Sequence, residues 1–445
     1  MSFEWETFKI GDIANVQTGP FGSQLHKEDY VESGTPIITV EHLGENRIIH
    51  ENTPFVSDED ATRLNKYTLR EGDIVFSRVG SVDRRAYVSR KEDGWLFSGR
   101  CLRVRVIDTK RIYPRYLSYY FGLETFKEHV RNIAVGATMP SLNTKIMANL
   151  EIKAPKLADQ IAITSILSSL DDKIELNNAI NKNLEEIAQA LFKRWFVDFE
   201  FPNEDGDPYK ASGGEFEESE LGPIPKGWQV GSIQDLIIAI SGGDWGKDSP
   251  QGNHVHEVSC IRGADIPELR KGALGKVPRR FILPKNVSRK VLSHGDIVIE
   301  ISGGSPTQST GRAVLIVDEI LQKFEAPLIC TNFCRVIKPL SDYGDYLYSY
   351  LSYLYQEGIL FQYENGTTGI KNLDITSLLN VHRVAIPTIE VARQYASMFH
   401  ELYRTIQLLG AQAHKLAEIR DALLPKLMSG EIRVPIEEAE LEEMR

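Results

Sequence analysis

The chain has 445 residues, 42% hydrophobic and 25% charged, with a formal net charge of −11, enough for two or three domains that each bury a core. It contains no apolar run long enough for a membrane span, and its opening Met-Ser-Phe-Glu-Trp lacks the basic and apolar regions of a signal peptide. Its four cysteines (Cys101, Cys260, Cys330, Cys334) are too few and scattered for a disulfide framework, which points to a reducing, cytoplasmic setting.

The first half opens Trp5-Glu-Thr-Phe-Lys-Ile10-Gly-Asp12 and runs to Gly19; at an offset of 223 stand Trp228, Ile233, Asp235 and Gly242. The same offset superposes Gly72-Asp-Ile-Val75 on Gly295-Asp-Ile-Val298. Further on, Gly136-Ala-Thr138 meets Gly366-Thr-Thr368 and Pro155 meets Pro387. A period this long is a tandem duplication of a whole domain, not a solenoid. Within the first half, Thr35–Val40, Asp73–Arg78, Arg100–Ile107 and Leu150–Ala154 are β-branched-rich and bounded by turn residues, which predicts strands. The second half offers His256–Ile261, Asp296–Ile301, Ala313–Val317, Cys330–Ile337 and Val381–Ile386. Helical spacing predicts shorter helices over Pro114–Val130 and Tyr343–Phe361, with their tyrosines in the core.

Each half closes on a long helix. From Leu157 to Phe196 the beat is 3.5 residues: Ile163, Leu167, Leu170, Ile174, Asn177, Asn181, Leu184, Ala188, Leu191 and Trp195. Displaced by 232 residues it returns at Tyr395, Phe399, Leu402, Ile406, Leu409, Ala413, Leu416, Arg420, Leu423 and Leu427. These are coiled-coil seams, and the two helices are natural antiparallel partners. In that pairing Asn177 and Asn181 face the stretch around Gly410, where a buried Asn can fix register or fill a solvated gap. Pro425 predicts an end or kink of the second helix before Gly430. Between the halves, Asn203 to Glu220 is Gly/Glu/Ser-rich, which predicts a flexible linker.

The overall acidity argues against nucleic acid, but charge is unevenly distributed. Residues 78–115 carry eleven Arg/Lys against four acids, and residues 262–290 carry nine against two, a net of +7 in each. Matching basic patches in matching halves favour a phosphate-facing surface over a merely solvated face. Catalytic signatures are not found. Ser241-Gly-Gly-Asp-Trp-Gly246-Lys247-Asp248 fails the phosphate-loop pattern at its first Gly and at the Ser/Thr that would ligate magnesium. Cys330 and Cys334 with His254 and His256 could form a zinc site on paper, but buried thiols at i, i+4 of a strand are the simpler explanation. The chain is therefore expected to catalyse nothing alone and to hold no metal.

Several marks occur together and in order: the two Trp…Gly-Asp openings, the two Gly-Asp-Ile-Val motifs, Leu221-Gly-Pro-Ile-Pro-Lys-Gly-Trp228, Ala190-Leu-Phe-Lys-Arg-Trp-Phe-Val-Asp-Phe199, and Arg420-Asp-Ala-Leu-Leu-Pro-Lys-Leu-Met-Ser-Gly-Glu431. With them the chain resembles the specificity (S) subunit of type I restriction–modification systems over essentially its whole length. The resemblance implies an α+β fold: two tandem α/β target-recognition domains, each followed by a long helix, the helices pairing as an antiparallel coiled coil with pseudo-twofold symmetry. The expected boundaries are a first recognition domain at 1–155, its helix at 156–200 and a linker at 201–227. A second domain at 228–387, its helix at 388–430 and an acidic tail at 431–445 follow. The resemblance also implies a function. Each domain reads half of a bipartite, asymmetric, gapped site in double-stranded DNA, and the helices set the spacing and dock two methyltransferase (M) subunits. S-adenosylmethionine belongs to those partners; ATP and Mg belong to a motor-nuclease (restriction, R) subunit where one joins. The alternatives are a coiled-coil scaffold that organises partners without reading sequence, and a self-sufficient DNA-modifying enzyme, which the missing cofactor motifs disfavour.

Candidate DNA-contacting residues are Arg78, Ser81, Arg84 and Arg85 after the first Gly-Asp strand and Ser305, Gln308 and Arg312 after the second, because Arg can bond guanine and Gln adenine in the major groove. Gln24, Lys27, Thr138, Lys247, Thr368 and Lys371 occupy further polar loops. Trp195, Phe196 and Phe199 form an aromatic knot suited either to partner docking or to capping its own coiled coil.

Overall fold

The computed structural model describes residues 4–136, 139–303, 305, 308–366 and 371–435. The chain divides into two compact units, an N-terminal unit of residues 1–171 and 418–445 and a central unit of residues 172–417. Among the described residues no helix is long and apolar enough to cross a membrane.

In the N-terminal unit, β1 (Glu6–Lys9) pairs antiparallel with β6 (Glu151–Ala154). The main sheet contains β2 (Ala14–Thr18), β3 (Ile74–Ser77), β4 (Arg85–Tyr87) and β5 (Cys101–Val106) in the order β2-β5-β3-β4, all antiparallel. Helices α1 (Pro114–Tyr120) and α2 (Glu124–Ile133) contribute Tyr116, Leu117, Phe126 and Val130 to the core. The helical stretch expected over Pro114–Val130 is two helices, broken around Gly122. A Cβ at Gly122 would sit 2.8 Å from the Arg85 guanidinium carbon, so the break makes room for that side chain. A second sheet includes Thr35–Ile38 and Leu96–Phe97 paired parallel.

The central unit repeats this plan. After α3 (Leu157–Phe196), whose residues from Asp172 onward belong here, β7 (Gln229–Ser232) pairs with β12 (Arg383–Ile386). The main sheet contains β8 (Ile237–Gly242), β9 (Ile297–Glu300), β10 (Ala313–Leu315) and β11 (Cys334–Pro339) in the order β8-β11-β9-β10, again antiparallel. Helix α4 is Gly344–Gln356, and α5 runs Ile389–Ser429. The strand expected over Cys330–Ile337 is two strands in different sheets, Leu328–Cys330 and β11, with a turn at 331–333 between them. Val381 ends the helix Ile375–Val381 rather than starting a strand.

The Gly-Asp-Ile-Val motif has one structural role in both units. Gly72 and Gly295 take φ of +91° and +86°, the left-handed region where a side chain would strain the backbone. Their amides donate to Val88 O and Ile316 O at 3.0 and 2.8 Å. The following aspartates are buried and close the turn by accepting from Arg70 N and Ser293 N, each at 2.8 Å. Each is neutralised from the neighbouring strand, Asp73 by Arg105 at 2.6 Å and Asp296 by Lys338 at 3.1 Å.

The long helices pair antiparallel within each unit. In the central unit the Asn177 amide donates to Gln412 Oε1 at 2.8 Å and Leu409 O at 3.4 Å, and the Asn181 amide to Ile406 O and Lys271 O, each at 3.2 Å. Both asparagines are buried. Gly410 lets the domain approach the helix: a Cβ there would lie 1.8 Å from Lys271 O. In the N-terminal unit Asp171 on α3 pairs with Arg420 on α5 at 2.7 Å. Helix α5 runs through Pro425 to Ser429 instead of ending before it. Leu427 and Met428 are buried in the N-terminal core on that last turn, and Gly430 closes it at φ +76°.

The stretch expected to be a free linker is folded. Phe201 stacks on Tyr209 and on Trp228 with centroids 4.6 and 5.3 Å apart. Phe216–Glu217 pairs with Ile224–Pro225, and the Tyr209 hydroxyl donates to Glu215 O at 2.6 Å. Its aromatic residues outweigh the Gly/Ser composition. The acidic residues from 436 onward lie outside the described residues.

Candidate nucleic-acid interface

At one edge of each main sheet the same loops converge: the segment leaving β2 or β8, the end of β3 or β9, and the start of β5 or β11. In the N-terminal unit Arg78 N donates to Arg100 O at 2.8 Å and Arg78 O accepts from Leu142 N at 2.8 Å, which brings the loop around Gly136 to this edge. In the central unit Ile301 does the same with Phe333 O and Leu373 N, each at 2.9 Å.

Several candidate residues stand exposed here or nearby. Gln24 accepts from the Tyr67 hydroxyl at 2.7 Å, and Lys27 lies on the following 3-10 turn. Ser81 is exposed on the turn after β3, and Arg78 is half-buried with its guanidinium over the Phe21 ring. Lys247 is exposed, its backbone bridged to Phe281, and Gln308 is exposed, its side chain donating to the Tyr355 hydroxyl at 3.3 Å. Ser305 is half-buried, its backbone bridged to Gln308. Thr138 and Thr368 lie outside the described residues.

Other candidates are engaged inside the fold. Arg85 is only 3% exposed. It donates to Ser118 O at 2.8 Å and to Glu45 at 3.1 Å, and burial pulls its guanidinium below the ordinary value against the attraction of Glu45. Arg84 donates to Leu43 O but stays exposed at the surface. Arg312 grips Glu300, a buried carboxylate, with two bonds of 2.8 and 2.7 Å. Lys371 pairs with Glu364 at 2.8 Å and lies over the Phe361 ring. Counting charges along the sequence could not reveal these partners. The same holds for other members of the basic patches: Arg103 is buried over Phe97 with its pKa lowered by burial to about 10, Arg105 binds Asp73, and Arg262 binds Asp265.

The cysteines are buried free thiols, and burial pushes Cys101, Cys260 and Cys334 up to about 12. Among the described residues no group of three or more His, Cys, Asp or Glu is placed to hold a metal. The aromatic knot faces inward. Trp195 and Phe196 are buried in the core of the central unit, and Phe199, at φ +60°, packs edge-on against Trp228.

A duplicated α/β module carried on a pair of long helices is the architecture that emerges, and residues 3–186 match the type I restriction modification DNA specificity domain. The chain resembles, from end to end, the specificity subunits of type I restriction–modification systems. It is 28% identical over 437 residues to the type I restriction enzyme MjaIX specificity subunit of Methanocaldococcus jannaschii, covering 97% of this chain and 94% of the relative. To the HindI specificity subunit of Haemophilus influenzae it is 22% identical over 498 residues, covering 96% and 100%. The crystal structure of a type I S subunit from M. genitalium has the same fold, with a TM-score of 0.60 at 15% identity, covering 96% of each chain.

Proposed function

We propose that the chain is the DNA-specificity subunit of a type I restriction–modification complex, that each unit reads one half of a bipartite, asymmetric, gapped site in double-stranded DNA, and that it does no chemistry of its own. The observation that carries the proposal is the repeat itself. Two units of one fold, with the same Gly-Asp turn and the same loop edge but different loop residues, suit two unlike half-sites. Gln24, Lys27, Ser81 and Arg84 in one unit, and Lys247 and Gln308 in the other, are the candidates that the fold leaves exposed, with Arg78 half-buried beside them. Many such contacts go to phosphates, which position the protein without specifying sequence. Two methyltransferase subunits would supply S-adenosylmethionine, and a restriction subunit, where it joins, ATP and Mg.

The test is modification-sensitive sequencing of DNA from cells that express a methyltransferase partner with and without this chain. A gapped, asymmetric methylated motif is expected only with the chain. An assembled complex that imposes no motif would instead favour a scaffold that organises its partners, an alternative to which the internal engagement of Arg85, Arg312 and Lys371 lends some weight. The helices are proposed as the spacer. Matched seven-residue insertions in α3 and α5 add about 10 Å of helix, and the gap should grow by about three base pairs, at roughly 3.4 Å each. An unchanged gap would remove the spacer role.

A further inference from the structure

The two units carry an exposed aromatic ring at one equivalent position. Val16 pairs with Val104 and Ile240 with Ile337, and those partners face Ile74 and Ile297 of the two Gly-Asp-Ile-Val strands. This register makes Gly19 the counterpart of Gly243. Both glycines are forced by close backbone approach: a Cβ would lie 2.2 Å from Ser98 O in one case and 2.1 Å from Thr331 O in the other. Ser98 and Thr331 are themselves counterparts, their hydroxyls 3.7 and 3.8 Å from the sulfurs of Cys101 and Cys334. Two residues beyond each glycine stand Phe21, 60% exposed, and Trp245, 38% exposed.

Each ring is braced by an arginine. The Arg78 guanidinium lies 5.6 Å from the Phe21 centroid, and that of Arg280 lies 3.9 Å from the Trp245 centroid. Arg280 is buried and fixed in turn by Trp245 O at 2.8 Å and by Asp248. The surroundings are basic. Arg100 is exposed and bonded through its backbone to Arg78. A groove of about 500 Å³ beside Ser241–Asp244 is lined by Arg289 and Lys290. A large ring held in water gives up the stabilisation of burial, and here the fold supports it instead of folding it inward. Arg280 is occupied by Asp248 and serves only to hold its ring, whereas Arg78 is free to meet phosphate; each ring also gains against apolar surface, which DNA offers on base edges such as the thymine methyl.

We infer that Phe21 and Trp245 are the apolar base-level contacts of the two units, one in each half-site, each held in position by its arginine; this rests on the proposed reading of DNA. The experiment is the sequencing assay above, run with the full chain in its methyltransferase complex carrying Phe21→Ala or Trp245→Ala. Phe21→Ala is expected to relax the motif at one position of one half-site, with about a tenfold rise in methylation at sites carrying other bases there, and Trp245→Ala to do so in the other half-site only. Phe21→Tyr and Trp245→Phe, which keep a ring, should retain specificity. An unchanged motif in both alanine variants, or a uniform fall in methylation with every position still specified, overturns the inference while leaving the specificity-subunit proposal intact. A wild-type complex that imposes no motif removes that proposal, and this inference with it.

Discussion

The two units join their long helices by different chemistry at one equivalent place. In the N-terminal unit the junction is polar: Asp171 accepts from the Tyr119 hydroxyl at 2.5 Å and from Arg420 at 2.7 Å, while Arg85 reaches Ser118 O and Glu45 nearby. At the 232-residue offset Asp171 becomes Tyr403 and Arg420 becomes Ala188. The central unit accordingly packs rings there: Tyr403 lies 5.5 Å from Tyr348 and stacks on Phe399, and the cluster continues through Tyr395 to Phe196 and Tyr346. The hydroxyls of Tyr395 and Tyr403 are satisfied by Ser349 and Leu315 O. At that place a duplicated fold keeps its backbone plan while a directional charge pair gives way to apolar area. Rings contribute through the surface they remove from water, whereas a buried pair gives a small net gain and a large loss when half of it is removed.

The largest expected effect is in the aromatic junction. Tyr395→Ala removes a fully buried ring that touches Trp195, Phe196 and Phe399, and should cost about 3–5 kcal/mol, read as a lower urea midpoint for the central unit. A loss below about 1 kcal/mol would mean that the ring cluster is not what secures α5 there. The polar junction should respond less and in a distinctive way. Arg420→Ala leaves Asp171 without its cation and should cost about 1–3 kcal/mol. The triple change Tyr119→Phe, Asp171→Leu and Arg420→Leu should return to within about 1 kcal/mol of the wild type, because neither the two charges nor the Tyr119 hydroxyl is left without its partner. If the triple change is as damaging as the sum of the singles, the pair is more than a mutually neutralised couple, and the comparison between junctions is wrong at that point.

Much of this architecture was legible in the sequence, for identifiable reasons. Forty residues on a 3.5-residue beat leave little freedom, so α3 spans Leu157–Phe196 as expected, and the beat also placed Asn177 opposite Leu409 to Ala413. The strands after the repeated Gly-Asp were legible, although the turn that the glycine and aspartate build before each strand was not. Nor was the turn at 331–333, since Thr331-Asn-Phe333 carries no Gly or Pro to interrupt the apolar run from Cys330 to Ile337. The candidate site was the least legible part. Arg85 and Arg312 follow the Gly-Asp strands as a base-reading arginine would, but only the folded chain brings Glu45 and Glu300 to them. Phe21 and Trp245 escaped for a different reason. A register shift between Ile237 and Ala239 adds one residue to β8, so the offset of 223 that aligns the Gly-Asp motifs matches Gly19 to Gly242 instead of Gly243. One bulge hid the pair of aromatics.

The smallest effect tests whether the central unit's junction is as apolar in its electrostatics as in its packing. Lys323 reaches toward α5, donating to Gln407 Oε1 at 3.0 Å and to Gly272 O at 2.7 Å. Burial there lowers its pKa to about 8, against an attraction from Glu319 that only partly offsets it. In the unfolded chain a lysine titrates near 10.4, so between these values the unfolded state binds more protons than the folded one. Stability must then rise with pH across that window, and the contribution is lost as pH falls toward 8. Tyrosines of the same unit, including Tyr350, whose ionisation burial opposes, act in the other direction above pH 10; the comparison is therefore made as wild type minus Lys323→Met. That difference in thermal midpoint should change steadily between pH 8 and 10 in favour of the wild type. A flat difference would place the Lys323 ammonium in a solvated setting, and would make the aromatic junction of the central unit wetter than its ring packing implies.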